Sequence, residues 1–251
     1  MLIKILFLCF VGFLAAIIDA IAGGGGIITI PAYLLCGVPP HIALGTNKLC
    51  ASCSAVTSSY GFIKSGKANF KLLKMLIPFS LVGAIFGVNT VLGLDPKYLN
   101  VIVLVLLFIV GIYTLFSKDI GMENKFKGLN KKNIFLGIII SFSLGFYDGF
   151  FGPGTGAFLI FGLTAVFKFD FVRSSANSKI LNCTSNLTSL LLFAFNSKIN
   201  YSIAIPVAIC MIIGARFGTK LALNKGSKLI KPIFVTMSLL VAIKMLYQVV
   251  A

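Results

Sequence analysis

Apolar runs long enough to cross a bilayer follow one another along this chain, and that pattern leaves few ways to fold it. A helix needs ~20 apolar residues to cross the hydrocarbon core. Leu72–Leu92, Tyr98–Phe116, Tyr201–Leu221 and Leu229–Val250 meet that length. In lipid no water satisfies exposed backbone groups, so such runs must be helical. Two further stretches are interrupted. Leu2–Ala22 and Ile27–Cys36 are split by Gly23, Gly24, Gly25 and Gly26. Ile134–Phe151 and Ala157–Phe167 are split by Gly152-Pro153-Gly154. Neither four glycines nor Gly-Pro-Gly continues a helix comfortably, so each is a broken or hairpin element. Leu49–Ile63 and Ile180–Phe195 are shorter and rich in Ser, Thr and Cys. Small and hydroxyl side chains favour close helix packing in lipid, which places these two inside the bundle. The expected fold is an all-α polytopic membrane protein with about eight transmembrane segments, the broken ones included.

The second constraint is a repeat. Gly12 to Gly26 reads GFLAAIIDAIAGGGG, and Ser141 to Gly156 reads SFSLGFYDGFFGPGTG. Asp19 aligns with Asp148, and Gly23 and Gly25 with Gly152 and Gly154, at an offset of 129. Thr46-Asn47-Lys48-Leu49 then aligns with Asn177-Ser178-Lys179-Ile180 at an offset of 131. Ser65–Phe70 matches Asn196–Tyr201, and Val82–Gly87 matches Ile213–Gly218, at the same offset. The chain therefore divides into a first repeat, 1–116, a linker, 117–132, and a second repeat, 133–251. Internal duplication is common in secondary transporters. The repeat also disposes of a look-alike. Lys4, the apolar Ile5–Ile18 and Ala20-Ile21-Ala22 imitate a signal peptide, yet the same stretch recurs in mid-chain, so it is expected to be retained.

Charge orients the halves. The net charge is +16, and only 11% of residues are charged, against ~25% in soluble domains. The basic residues do not form a nucleic-acid surface, because they sit in short clusters between apolar runs. The clusters are Lys64–Lys74, Lys118–Lys132, Lys168 with Arg173, and Lys220–Lys231. If each broken element enters and leaves on one side, each half crosses three more times. The second half is then inverted, and all four clusters are cytoplasmic, as the positive-inside rule requires. If each broken element crosses once, the halves are parallel and Lys220–Lys231 lies outside. The inverted arrangement is the expected one.

Few residues can carry chemistry. Asp95, Asp119, Glu123 and Asp170 fall in loops, whereas Asp19 and Asp148 lie at the ends of apolar runs. A carboxylate at membrane depth is costly unless paired and is a functional candidate, here for coupling to a proton or another ion. The alternative is a cap on its own broken loop. A helix beginning at Ile27 or Ala157 offers unpaired N–H groups and a dipole that favours negative charge. Doubled, these ends form an oxyanion cradle, unless the glycines serve only close packing. Candidate binding residues are Gly23, Gly24, Gly25, Gly26, Thr46, Asn47, Lys48, Gly152, Gly154, Thr155, Asn177 and Lys179. Lys48 and Lys179 begin matching helices and either balance an anion, pair with the aspartates or snorkel to an interface. Arg216 stands where the first repeat has Ile85; it is an oxyanion ligand or, the favoured reading, a snorkelling end residue. His41 is given no role. Cys50-x-x-Cys53 has no second pair and is read as packing. With one His, no H-E-x-x-H and no G-x-S-x-G, catalysis is not expected; nor is a cofactor.

The run from Ile17 to Pro40, IIDAIAGGGGIITIPAYLLCGVPP, followed by ALGTNKL from Ala43 to Leu49, resembles the TauE/SafE sulfite exporter family, also called TSUP. The resemblance extends over nearly the whole chain, through F-G-P-G-T-G and the closing I-G-A-R-F-G. It implies a multi-pass permease of a bacterial or archaeal inner membrane for sulfite, sulfonates or related organosulfur anions. Asp19, Lys48 and the first glycines match its motif directly, while Asp148 and Lys179 follow through the repeat. Sequence and resemblance together point to a secondary transporter whose partners are the lipid bilayer and a small anionic solute. A passive channel or a membrane scaffold is the alternative.

Overall fold

A computed structural model describes residues 2–95, 124–126 and 128–225. The expected spans Tyr98–Phe116 and Leu229–Val250, half of the 117–132 linker, and Asp119 and Glu123 lie outside the described residues. Among the described residues there are eight helices and no strand: α1 (Leu2–Ala22), α2 (Gly25–Leu35), α3 (Pro40–Lys64), α4 (Phe70–Leu92), α5 (Lys131–Phe150), α6 (Thr155–Phe167), α7 (Phe171–Phe195) and α8 (Tyr201–Lys225). Of these, α1, α4, α5 and α8 are long and apolar enough to cross a membrane, making this a polytopic membrane protein.

Side-chain caps fix several starts. The Asn69 amide oxygen accepts from Leu72 N–H at 3.1 Å and that of Asn200, its repeat equivalent, from Ile203 N–H at 3.3 Å. Asn130 caps α5 and Asp170 caps α7 in the same way. Pro40 opens α3 at a position where its missing N–H costs nothing. Helices α3 and α7 are each 25 residues long, longer than the expected Leu49–Ile63 and Ile180–Phe195. Lys48 and Lys179 therefore lie within these helices rather than at their starts. The polar Thr46-Asn47-Lys48 looks like the edge of an apolar run. In the bundle interior these side chains find protein partners, and the helix continues through them.

Packing between the halves is reciprocal. Gly214 and Gly218 of α8 leave no room for a side chain against the carbonyls of Phe13 and Ile17 of α1. Gly83 and Gly87 of α4 do the same against Phe142 and Phe146 of α5. Each residue of one set is the repeat equivalent of one in the other. In both contacts the numbers rise together, so α1 runs parallel to α8 and α4 parallel to α5. Helices α3 and α7 meet at the centre and run antiparallel: Gly45 approaches Phe193, while the Ser59 hydroxyl donates to the Lys179 carbonyl at 3.1 Å. Helix α2 doubles back along α1, since Lys4 Nζ near the start of α1 donates to the Cys36 carbonyl at 2.9 Å. Helix α6 doubles back along α5 in the same manner, with Lys125 N–H on the Lys168 carbonyl at 2.8 Å.

These directions gather like ends. Ile21, Phe62, Ala176 and Ala222 form one buried cluster, and Asn69 N–H donates to the Asn177 amide oxygen at 2.9 Å. Lys64–Lys74, Lys131, Lys132, Lys168, Arg173, Lys220 and Lys225 thus share one end of the bundle. At the other end Asn200 N–H donates to the Thr46 hydroxyl at 3.0 Å. His41, which was assigned no role, lies there with Nε2 3.0 Å from the Val91 carbonyl oxygen. Phe10, Phe86, Phe135, Ile209 and Phe217 stay exposed on the outside, an apolar face suited to lipid.

Candidate functional site

The two breaks form where glycine takes backbone angles that other residues avoid. Gly23 (φ 77°), Gly152 (φ 100°) and Gly154 (φ 82°) are left-handed. Helices α2 and α6 begin at Gly25 and Thr155, two residues before the expected Ile27 and Ala157, because glycine and threonine here also accept helical angles. The breaks touch each other at the centre of the bundle. Ala157 N–H donates to the Gly23 carbonyl at 2.9 Å. A Cβ on Gly156 would lie 2.7 Å from Gly23 Cα, and one on Gly26 would lie 3.1 Å from Pro153 Cα.

Beside this contact lie two ion pairs, and both cross between the halves. Lys48 Nζ of α3 is 2.9 Å from Asp148 Oδ1 of α5, each side chain 2% exposed. Lys179 Nζ of α7 is 2.6 Å from Asp19 Oδ2 of α1, at 0% and 17% exposure. Each aspartate pairs with the other repeat's lysine. Both aspartates are held further, by different means. Gly25 N–H donates to Asp19 Oδ1 at 3.2 Å, so Asp19 caps α2 while it bridges. The Ser185 hydroxyl donates to Asp148 Oδ2 at 2.6 Å. Gly152 keeps space open at its pair: a Cβ there would come within 3.0 Å of Lys48 Nζ and 3.1 Å of Asp148 Oδ1. Breaking one member of such a pair leaves an uncompensated charge, which is far more costly than the pair itself.

A cavity of about 20 Å³ lies among these groups, lined by Asp19, Gly23, Gly25, Gly26, Asn47, Lys48, Asp148, Gly152 and Gly154. It has room for about one water and is too small for a sulfur oxyanion. Of the other sequence candidates, Thr155 donates its hydroxyl proton to the Gly152 carbonyl at 2.8 Å and so braces the second break. Thr46 and Asn177 lie elsewhere, accepting N–H groups from the opposite half at the two ends of the bundle. Sequence reasoning missed Thr29, Ser185, Asn182 and Asn186. Thr29 donates to the Asn47 amide oxygen at 2.6 Å. Asn182 and Asn186 line the cavity one turn apart on α7, where the first repeat has Ala51 and Ala55. A polar amide replacing alanine inside a membrane helix was the available signal. Arg216 is exposed on α8 and does not line the cavity. Cys50 packs between Tyr33 and the Ala204 carbonyl, its thiol 3.3 Å from each partner oxygen. Among the described residues no group of three or more His, Cys, Asp or Glu could hold a metal ion.

Comparison with known proteins is consistent along the chain. The family pattern described as sulfite exporter TauE/SafE matches residues 8–245. A probable membrane transporter protein of Haemophilus influenzae is 37% identical over 238 residues, 95% of this chain and 92% of its own length. The probable membrane transporter protein YfcA of Escherichia coli is 35% identical over 248 residues, 99% of this chain and 91% of its own. A probable membrane transporter protein of Sinorhizobium is 32% identical over 240 residues, 96% of this chain and 91% of its own. No solved structure gives a significant match.

Proposed function

This chain belongs to the TauE/SafE sulfite exporter family, and from that premise we propose that it is a secondary transporter of a small oxyanion, a sulfite or sulfonate, in the cell's inner membrane. The carrying observation is the crossed pair of buried bridges, Lys48–Asp148 and Lys179–Asp19, around a space that holds about one water. Buried cations are neutralised here by carboxylates from the opposite half. An entering oxyanion gives a lysine a second negative partner. The carboxylate it displaces becomes a lone charge in a dry site, and a proton relieves that cost. Anion entry and proton uptake are thereby linked. The first turns of α2 and α6 turn their positive dipole ends toward the same space. A cavity this small does not admit the anion, so in this reading the anion binds when the two halves part on one side.

Inverted halves give the two sides equivalent doors. The antiparallel run of α3 and α7, which are repeat equivalents, supports that arrangement, and the shared lysine-rich end is then cytoplasmic. In a background without native cysteines, Ser197→Cys should react with an impermeant thiol reagent outside the cell, and Asn224→Cys should be protected. Labelling of Asn224→Cys from outside, with Ser197→Cys protected, would remove the inverted arrangement. For transport itself, proteoliposomes should take up one or more of a panel of sulfur oxyanions saturably, with competition between them, and should ignore neutral solutes of the same size. Flux that rises linearly with concentration would mark a channel instead.

A further inference from the structure

A cleft of about 500 Å³ opens between α3 and α8 toward the lysine-rich end of the bundle. Val56, Ile212 and Leu223 supply an apolar wall, while Arg216 and Lys220 supply two cations. Four residues apart on one helix, these cations lie on the same face. Thr219, 4% exposed, lines the same cleft, and its hydroxyl has no hydrogen-bond partner among the described residues.

We propose that this cleft binds an anionic phospholipid of the adjoining leaflet. A phosphodiester matches the cations: the Arg216 fork can grip two of its oxygens, and Lys220 adds a point charge. The Thr219 hydroxyl offers the donor that a head-group oxygen needs. The apolar wall suits an acyl chain, which a free anion lacks. Basic recesses between membrane helices are suited to acidic lipid heads in this way.

The repeat provides an internal control. The first-half positions equivalent to Arg216, Lys220 and Thr219 are Ile85, Asn89 and Val88, and Leu191 stands where the cleft has Tyr60. At these equivalent positions the packing of α4 on α7 has neither cation nor hydroxyl. The fold does not require them, and they occur only at the lysine-rich end. A single snorkelling Arg accounts for neither the second cation nor the unpartnered hydroxyl.

The test is native mass spectrometry of the full chain in detergent, titrated with phosphatidylglycerol, with phosphatidylethanolamine of the same acyl chains, or with inorganic phosphate. Phosphatidylglycerol should bind preferentially. Arg216→Gln/Lys220→Gln should weaken it about thirtyfold, roughly fivefold per cation, with phosphatidylethanolamine binding unchanged. Thr219→Val, which preserves shape, should weaken it by a smaller factor. Both cations lie on the outer surface of the bundle, so the double variant is expected to fold, and an unchanged size-exclusion profile checks that. Equal binding of the two lipids, or phosphatidylglycerol binding untouched by the Gln pair, would overturn the proposal. Displacement of the lipid by millimolar inorganic phosphate would also overturn it, in favour of a free-anion site.

Discussion

Lys48→Met should destabilise the protein by about 3–5 kcal/mol and abolish transport. The ammonium it removes is buried and faces Asp148, itself 2% exposed. Without Lys48 the carboxylate keeps only the Ser185 hydroxyl as a side-chain partner among the described contacts, and one neutral donor cannot replace a cation. Adding Asp148→Leu should restore most of the lost stability, because a well-packed apolar pair often matches or exceeds a buried ion pair. Ser185 is not orphaned by that change, since its hydroxyl also lies 3.1 Å from the Asn182 carbonyl. The double variant should nevertheless remain inactive, having lost both the fixed cation and the titratable group. Stability is read from unfolding in detergent and transport from proteoliposome uptake. A Lys48→Met protein as stable as the parent would show that the bridge contributes nothing, and an active double variant would remove it from the mechanism.

The second large effect is expected at the aspartates. A carboxylate beside an anion path repels the cargo, so its presence has to be explained by titration or by structure. Asp19, at 17% exposure, retains some access to water, whereas Asp148 is sealed at 2%. Asn is the discriminating replacement. In Asp19→Asn the side-chain carbonyl still accepts from Gly25 N–H, so the break stays capped, but the residue cannot carry a proton. Asp19→Asn should therefore abolish accumulation driven by a pH gradient and leave anion exchange largely intact. One proton per anion and one pH unit allow about tenfold accumulation, so the expected change is from that ratio to unity. Asp148→Asn should reduce both modes together through a weakened Lys48 contact. Full pH-driven accumulation in the double Asn protein would end proton coupling at these residues.

The sequence carried more of this site than its composition suggests. The repeat alone paired Asp19 with Asp148 and Lys48 with Lys179, and the glycines marked both breaks. It could not say which lysine each aspartate meets, because partner choice depends on how the halves interlock. The outcome, each carboxylate on the opposite half's cation, is a tertiary fact. Helix ends were misjudged for a related reason. Reading apolar runs as helices works for α1, α4, α5 and α8, which carry exposed apolar faces. It shortens α3 and α7, which are walled by protein and so tolerate Thr, Asn and Lys. Asn182 and Asn186 were passed over because the repeat directs attention to matched positions, and these two break the match.

The reciprocal packing of α1 on α8 and of α4 on α5 has a consequence for how the protein is made. The glycine face that receives α1 lies on α8, which leaves the ribosome after the seven helices described before it. Until then Phe13 and Ile17 present their carbonyl edge with no backbone beside it, and the first half is an open assembly awaiting its counterpart. Its helices can enter the bilayer one by one, since each satisfies its own backbone. The α4 contact with α5 needs only the start of the second half, whereas the α1 contact with α8 has to wait for α8. An interface in which each half completes the other is also the kind that two separate copies of one repeat could make.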